Sequence, residues 1–175
     1  MKERRQEYLL VDGYNVIFQS PELKGLLDDL EHARQRLVDT LVSFAVLSGQ
    51  KITVVFDAHL VPGGTTHTER HGGVEVIYTA QGETADNVIE RLAGKLSASG
   101  LVFVVTADYA EQRLILGRGA FRVPPVEFWA RVRQLHDEAG HAYRKDLPAD
   151  CYLENRLDER VRTALEAWRH KKPSG

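Results

Sequence analysis

The sequence predicts an α/β fold, with a parallel sheet and helices packed on both of its faces. Short apolar runs typical of buried strands alternate with longer segments in which apolar residues recur at helical spacing. This alternation favours parallel strands joined by helices that cross over the sheet. Four aspartates also fall where the chain leaves a predicted strand or enters a predicted helix. In a sheet of this kind such positions meet at one edge, so the pattern predicts both a fold and a site.

Five segments have the composition of strands, because they are apolar, β-branched or both. The segment at 101–105 is the most apolar and is expected inside the sheet, and the segment at 120–123 is a weak edge strand. Residues 58–73 are rich in glycine, histidine and threonine, and they are predicted to form a long loop. The predicted strands are residues 8–11, 52–56, 74–78, 101–105 and 120–123.

Helices are predicted where apolar residues recur every three or four positions. Gly49 and Gly117 are expected to end two of them, and Pro124 and Pro125 to open another, because glycine favours helix ends and proline a first turn. The predicted helices are residues 28–48, 84–99 and 109–116, a helix following 124–125, and a tail helix at 150–170.

The domain prediction is one compact domain with a short extension. Residues 1–150 are predicted to form the domain, residues 151–172 a C-terminal helical extension of it, and residues 173–175 a disordered tail. The tail helix is expected to pack on the domain because its apolar residues form one stripe. That stripe is Leu153, Leu157, Val161, Leu165 and Trp168.

Composition excludes several classes of protein. Cys151 is the single cysteine, so an internal disulfide and a thiolate zinc cage are impossible. The sequence contains no signal peptide and no run of membrane-spanning length, which predicts a cytoplasmic protein that does not bind membranes. The net charge of −2 is uneven: residues 1–109 carry −5 and residues 110–175 carry +3. An acidic half beside a basic half suits an enzyme that binds metal in one place and phosphates in another.

The four aspartates predict a metal site. Asp12, Asp57 and Asp108 follow predicted strands, and Asp86 opens a predicted helix. Each residue alone has an ordinary explanation, as a turn residue, a strand end, an N-cap or a first-turn acid. Together, four carboxylates at one edge repel one another unless a cation neutralises them. Carboxylate oxygens are preferred ligands of Mg²⁺ and Mn²⁺, so we expect Asp12, Asp86 and Asp108 to bind such an ion for phosphate chemistry.

Four motifs, in order along the chain, resemble the YacP-like group of NYN-domain ribonucleases, which belong to the PIN-like superfamily. The resemblance covers about residues 8–135. It implies a PIN-like sheet with a metal-dependent endoribonuclease site, with RNA as the substrate. The group also resembles a ribosome-associated nuclease that acts on messenger RNA, so the resemblance implies messenger RNA and the ribosome as partners. The motifs are residues 11–17, 55–59, 82–90 and 105–112.

The resemblance also implies roles for individual residues. Asp12, Asp57, Asp86 and Asp108 match the acidic cluster of the family, and Asn15 matches its paired amide. Asn15 would orient a metal ligand or the scissile phosphate. Capping of the segment after the Asp12 turn is the other interpretation of Asn15.

Contacts to RNA are predicted at residues that adjoin these motifs. The 58–73 loop contains His59, Arg70 and His71 and could cover a strand of RNA. Tyr14 could stack on a base, or could belong to the core. Arg91, Lys95 and Arg113 follow the acidic motifs and could bind phosphates, or could be ordinary surface residues.

Rival functions leave one serious alternative. An aspartyl phosphatase would need a second acid where Tyr14 stands, and a dinucleotide site would need more glycines than Gly13 in the first turn. The alternative is a non-catalytic RNA- or ribosome-binding module that keeps the fold and a vestigial metal site. The nuclease is favoured because the acidic set is intact.

Overall fold

The computed structural model describes residues 5–57, 67–108 and 117–146. Within these ranges, six strands form one sheet that is accompanied by four α-helices and a short 3-10 helix at Lys24–Leu26. The strands are β1 (Glu7–Asp12), β2 (Lys51–Phe56), β3 (His67–His71), β4 (Val74–Tyr78), β5 (Leu101–Val105) and β6 (Ala120–Val123). The helices are α1 (Gly13–Phe18), α2 (Leu30–Ser48), α3 (Ala85–Leu96) and α4 (Pro125–Asp146).

The sheet confirms the predicted α/β fold. Its strand order is β3-β4-β2-β1-β5-β6, and the described strands are parallel neighbours except for the antiparallel pair β3 and β4. The chain runs from β1 outward through β2 to β4 on one side, and then returns through α3 to β5 on the other side of β1. The crevice between β1 and β5 is therefore the switch point at which ligands bind in sheets of this kind.

The β3 strand corrects the sequence analysis, which predicted a loop over this segment. His67–His71 pairs antiparallel with β4, with His67 opposite Tyr78. Gly72 and Gly73 join the two strands with φ of 51° and 88°, a conformation that hairpin turns require and that glycine adopts readily. The strand was missed because it lies at the edge of the sheet and contains no apolar residue to reveal its period.

Helices cover both faces of the sheet, as predicted. Alternate residues of β1 point to opposite faces, so Leu9 and Val11 pack into one core cluster and Leu10 into the other. The first cluster includes buried residues of α1, α2 and α4, and the second includes those of α3. The crossover from β1 to β2 and the crossover from β4 to β5 run in opposite directions across the sheet, and right-handed connections then place their helices on opposite faces.

Local signals in the sequence set the ends of α2, and a bond from a distant tryptophan helps to position α1. The Asp29 carboxylate caps α2 by accepting from the His32 backbone N–H at 3.0 Å, and Gly49 ends the helix with φ of 73°. Trp129 of α4 is buried, and its indole N–H donates to the backbone oxygen of Val16 at 3.3 Å. Helix α4 therefore helps to hold α1 against the sheet.

The chain divides into two compact units, Met1–His136 and Asp137–Gly175. The sheet belongs to the first unit. Of the second unit, the structure describes the helical residues as far as Asp146. The predicted domain boundary at residue 150, the tail helix and the helix predicted at 109–116 lie outside the described residues, so they stay predictions.

Candidate active site

The structure places the four aspartates at the carboxyl edge of the sheet. Asp12 is the last residue of β1, Asp57 follows β2 directly, and Asp108 lies in the turn after β5. Asp86 lies in the first turn of α3, after the N-cap residue Thr84. Asp12 and Asp57 are half-buried, whereas Asp86 and Asp108 are exposed. The site therefore has a partly enclosed floor and a rim that faces solvent.

Asp12 shows that the four carboxylates act on one another. The pKa of Asp12 is raised from 3.8 to about 6, chiefly by burial and also by the charges of Asp86, Asp57 and Asp108. A backbone N–H opposes this shift, because Asn15 donates to Asp12 Oδ1 at 3.2 Å. The carboxylate thus caps α1, yet it still carries a net electrostatic penalty when ionised. A bound cation would remove that penalty.

Asn15 joins the floor of the site to the turn that carries Asp108. Its side-chain oxygen accepts from the backbone N–H of Ala107 at 2.9 Å. The same turn is tied down twice more, since Asp108 N–H donates to Thr106 Oγ1 at 3.1 Å and Arg122 Nε donates to the Thr106 carbonyl at 3.0 Å. Asn15 is therefore a positioning residue for the turn, and Asp12, not Asn15, is the cap of α1. No local pattern in the sequence indicates the bonds from Ala107 to Asn15 and from Arg122 to Thr106.

Gly13 allows α1 to start directly above β2. A Cβ atom built on Gly13 would lie 2.3–2.9 Å from three atoms of the Phe56 ring, which is fully buried. A side chain at this position would push α1 away from the sheet, together with Asn15. The glycine after Asp12 is thus required by packing.

The residues fit a hard divalent ion by chemistry, because the cluster consists of carboxylates that repel in the absence of a counter-charge. In the described part of the chain, no three histidine, cysteine, aspartate or glutamate side chains are placed close enough to hold one ion. The four acids are therefore close enough for their charges to interact, but no three of them are close enough to bind one ion.

Tyr14 does not offer the stacking surface that was one of its predicted roles. Its ring is 5% exposed and packs edge-on against Phe56, with ring centroids 5.3 Å apart. Its hydroxyl accepts from Arg34 Nη1 at 2.8 Å. The ring belongs to the core, which was the alternative interpretation, and a buried ring leaves no face for a base. The structure therefore favours the core interpretation of Tyr14 over base stacking.

Arg70 and His71, predicted to contact RNA, lie on the edge strand β3. The Arg70 side chain is 82% exposed, with its guanidinium 3.7 Å from a Glu75 oxygen. His71 Nε2 lies 2.8 Å from one carboxylate oxygen of Glu69, and His67 Nε2 lies 3.0 Å from the other. The contacts of Glu69 with His67 and His71 were not predicted, because the segment was expected to be a loop and residues of a loop have no common face.

Arg91 and Lys95, also predicted to bind phosphates, lie on the exposed side of α3. They line an open depression together with Arg118. Arg91 is bonded to Glu83 at 2.6 Å, and Arg118 to Glu90 at 2.9 Å. Helix α3 also carries Asp86, so this depression and the acidic cluster share one helix. His59 and Arg113 lie outside the described residues, and their predicted contacts with RNA stay predictions.

Comparison with known proteins identifies the family. The sequence matches the YacP-like NYN domain over residues 9–170. The chain belongs to the YacP-like NYN domain family. Membership confirms the resemblance seen in the motifs, and it suggests nuclease activity on RNA. In the described part of the chain, no helix is both long and apolar enough to cross a membrane.

Relatives from Bacillus subtilis support this assignment. The chain is 38% identical over 165 residues to the uncharacterized protein YacP of strain 168, a match that covers 93% of this chain and 96% of that protein. The fold is similar to a crystal structure of Rae1 (YacP), with a TM-score of 0.71 and 36% identity over 93% of this chain and 94% of that one. A mutant of the same protein also gives 0.71, at 33% identity over 93% and 99% of the two chains.

Proposed function

We propose that this protein is a metal-dependent endoribonuclease that hydrolyses phosphodiester bonds of RNA, with messenger RNA in a ribosome-associated, cytoplasmic context as its substrate. One observation carries the proposal: Asp12 is held half-buried with a pKa of about 6 and feels the charges of Asp57, Asp86 and Asp108. A protein does not gain stability from such an arrangement, because each added carboxylate increases the repulsion. Membership of the YacP-like NYN domain family supports RNA as the substrate of this site.

Mg²⁺ or Mn²⁺ is the proposed cofactor, with Asp12, Asp86 and Asp108 as its ligands and Asp57 as the fourth carboxylate of the site. When bound, such an ion activates water for in-line attack on phosphorus and stabilises the leaving oxygen. We expect products with a 5′-phosphate and a 3′-hydroxyl, since water rather than the 2′-hydroxyl is the nucleophile.

The residues of the chain orient and present the ligands. Asp12 is fixed in direction by its hydrogen bond from the Asn15 N–H, and Asn15 fixes the turn that presents Asp108. Asp86 stands on the first turn of α3, where the helix dipole favours a negative charge. Arg91 and Lys95 extend from the same helix into solvent, and they would bind phosphates of the RNA beyond the scissile bond.

The second candidate function is a non-catalytic RNA- or ribosome-binding module with a vestigial metal site. The placement of the acids, with no three at ligation distance among the described residues, favours it. A catalytic site and a vestigial one differ in a single measurable property. Only the first hydrolyses RNA in a way that depends on both the metal and the acids.

The test is cleavage of a labelled RNA by the purified protein in Mg²⁺, in Mn²⁺ and in excess chelator. We expect cleavage in either metal, none in chelator, and at least a ~100-fold lower rate for Asp86→Asn, since loss of a group that stabilises the transition state costs about 10²–10³ in rate. Asp39→Asn is the matched control, because Asp39 is an exposed acid on α2. Cleavage by Asp86→Asn at the wild-type rate would show that the site is misassigned. No cleavage by the wild-type protein under any condition would favour the binding module.

A further inference from the structure

Arg34 is a buried cation with no anionic partner in the described part of the chain. It lies on α2 and is 8% exposed. Its Nη1 donates to the Tyr14 hydroxyl at 2.8 Å, and Arg34 also acts on the nearby Tyr78 hydroxyl, where it opposes the burial that raises the pKa of that group. The ion pairs of the described arginines involve other residues, and no described carboxylate oxygen lies within 4.0 Å of Arg34.

This environment is incomplete for a guanidinium. The group has five N–H donors in a planar fork, and it remains charged at every relevant pH. The Tyr14 hydroxyl accepts a hydrogen bond from it and the Tyr78 hydroxyl lies nearby, but neither group supplies a negative charge. Removing a cation from water is costly unless an anion compensates for it. Among the described residues, the cluster of Arg34, Tyr14 and Tyr78 therefore has no carboxylate within ion-pairing distance of its guanidinium.

The cluster lies beside the acidic site. Tyr14 is two residues after Asp12, and Tyr78 pairs across the sheet with Phe56, the residue before Asp57. The Tyr14 and Tyr78 rings both pack on the ring of Phe56, with centroids 5.3 and 5.7 Å from it, and Phe56 directly precedes Asp57. The cationic cluster and the acidic cluster are neighbours at the carboxyl edge of the sheet, over β2 and β4.

The cluster also adjoins a surface that RNA can reach. The Tyr78 ring is partly exposed, and the His67 ring stacks on it with centroids 4.4 Å apart. The His67 side chain is 42% exposed. A polyanion lying across the acidic site would pass this side of the sheet.

We propose that Arg34, with the hydroxyls of Tyr14 and Tyr78, binds an RNA phosphodiester that neighbours the scissile one. The assignment rests on the proposed function, since it takes RNA to be the ligand of the acidic site. The phosphodiester supplies the missing negative charge, and its two free oxygens match the fork of the guanidinium. The subsite would hold the RNA backbone on the β4 side while the acids engage the bond to be cut.

The experiment measures binding in an Asp86→Asn background, so that RNA is not consumed. Short labelled RNAs each carry one uncharged methylphosphonate linkage, moved one position at a time, and affinity is read by fluorescence anisotropy in Mg²⁺. We expect one position at which loss of the charge weakens binding about tenfold. Adding Arg34→Met weakens binding of the unmodified RNA by a similar factor and abolishes the effect at that position alone.

Three further variants make the result specific. Tyr78→Phe removes only a hydroxyl, and it reduces the positional effect severalfold without abolishing it. Arg34→Lys keeps the charge but not the planar fork of donors. We expect its positional effect to lie between that of the protein with Arg34 and that of Arg34→Met. Arg36→Met removes an exposed arginine from the same helix and leaves the positional pattern intact. If Arg34→Met does not fold, Arg34→Lys and Tyr78→Phe decide the question by the same readout.

A purely structural role gives a different result. Arg34→Met, or the two milder variants, would then lower affinity equally for every RNA or not at all, with the sensitive position unchanged, and the proposal would be overturned. The cleavage assay is separate. If the wild-type protein cuts no RNA but the positional effect depends on Arg34, the subsite stands and the nuclease fails. If it cuts RNA and no position depends on Arg34, the subsite alone fails.

Discussion

Replacing Asp12 with asparagine is expected to stabilise the metal-free protein at neutral pH. The substitution keeps the size of the side chain and its capping of α1, because asparagine is as good an N-cap as aspartate. It removes the charge that burial and three other carboxylates oppose. Stability and activity should therefore change in opposite directions.

The size of the effect follows from the pKa. Raising the pKa of Asp12 from 3.8 to about 6 costs the folded, ionised protein about 3 kcal/mol, at ~1.4 kcal/mol per pKa unit. A raised pKa means that the folded state binds the proton more tightly than the unfolded state. The penalty is thus nearly absent below pH 3.8, grows as the pH rises, and is complete above about pH 6. About half of it remains at pH 5 by the same relation.

The assay is thermal unfolding in chelator at pH 7.5 and at pH 5. We expect Asp12→Asn to melt about 6–12 °C above the wild-type protein at pH 7.5, at roughly 2–4 °C per kcal/mol, and about half as much above it at pH 5. Asp29→Asn is the matched control, since Asp29 caps α2 in the same way at an exposed position. Its melting temperature is expected to change by only about 1 °C.

Added Mg²⁺ gives a second readout. It should raise the melting temperature of the wild-type protein more than that of Asp12→Asn, because a ligand stabilises only the state that binds it. An Asp12→Asn protein that melts at or below the wild-type temperature at pH 7.5, or a difference that does not shrink at pH 5, would refute the electrostatic reasoning.

Three further substitutions test how the site is built. Gly13→Ala drives a methyl group into the buried Phe56 ring, so urea unfolding should show a loss of about 1–3 kcal/mol; unchanged stability would mean that α1 can shift freely. Asn15→Ala leaves the Ala107 N–H without its acceptor, which should cost about 1–3 kcal/mol and lower the cleavage rate, and a normal rate would remove Asn15 from the site. Gly73→Ala, with φ of 88° and open space around it, should cost about 1 kcal/mol and leave cleavage unchanged, so lost cleavage there would show that stability alone explains the other variants.

Much of the fold could be predicted because its signals are local. The apolar runs at 52–56 and 74–78 became β2 and β4, and the helical spacing before Gly49 became α2. The hidden strand β3 shows the limit of this reasoning. Its side chains point alternately to the two faces of the sheet, but all of them are polar. The strand is therefore defined only by its pairing with β4.

The candidate site divides in the same way. The meeting of Asp12 and Asp108 at one edge follows from the rule that parallel strands end together. The bond from Ala107 to Asn15 and the buried charge of Arg34 depend on how distant segments pack, and no local pattern encodes them. Arginine on an amphipathic helix is ordinarily a surface residue, so burial of Arg34 was visible only in three dimensions.

The position of β1 between β2 and β5 has a consequence for synthesis. Strand β1 is synthesised first, but its second edge pairs only when β5 has been made, past the middle of the chain. Asp12 and Asp108 cannot come together before that pairing, and Trp129 must follow before α1 has its support from α4. Contacts so distant along the chain form late in folding. A nascent chain therefore carries no assembled acidic site until the segment that contains β5 and Asp108 has been made.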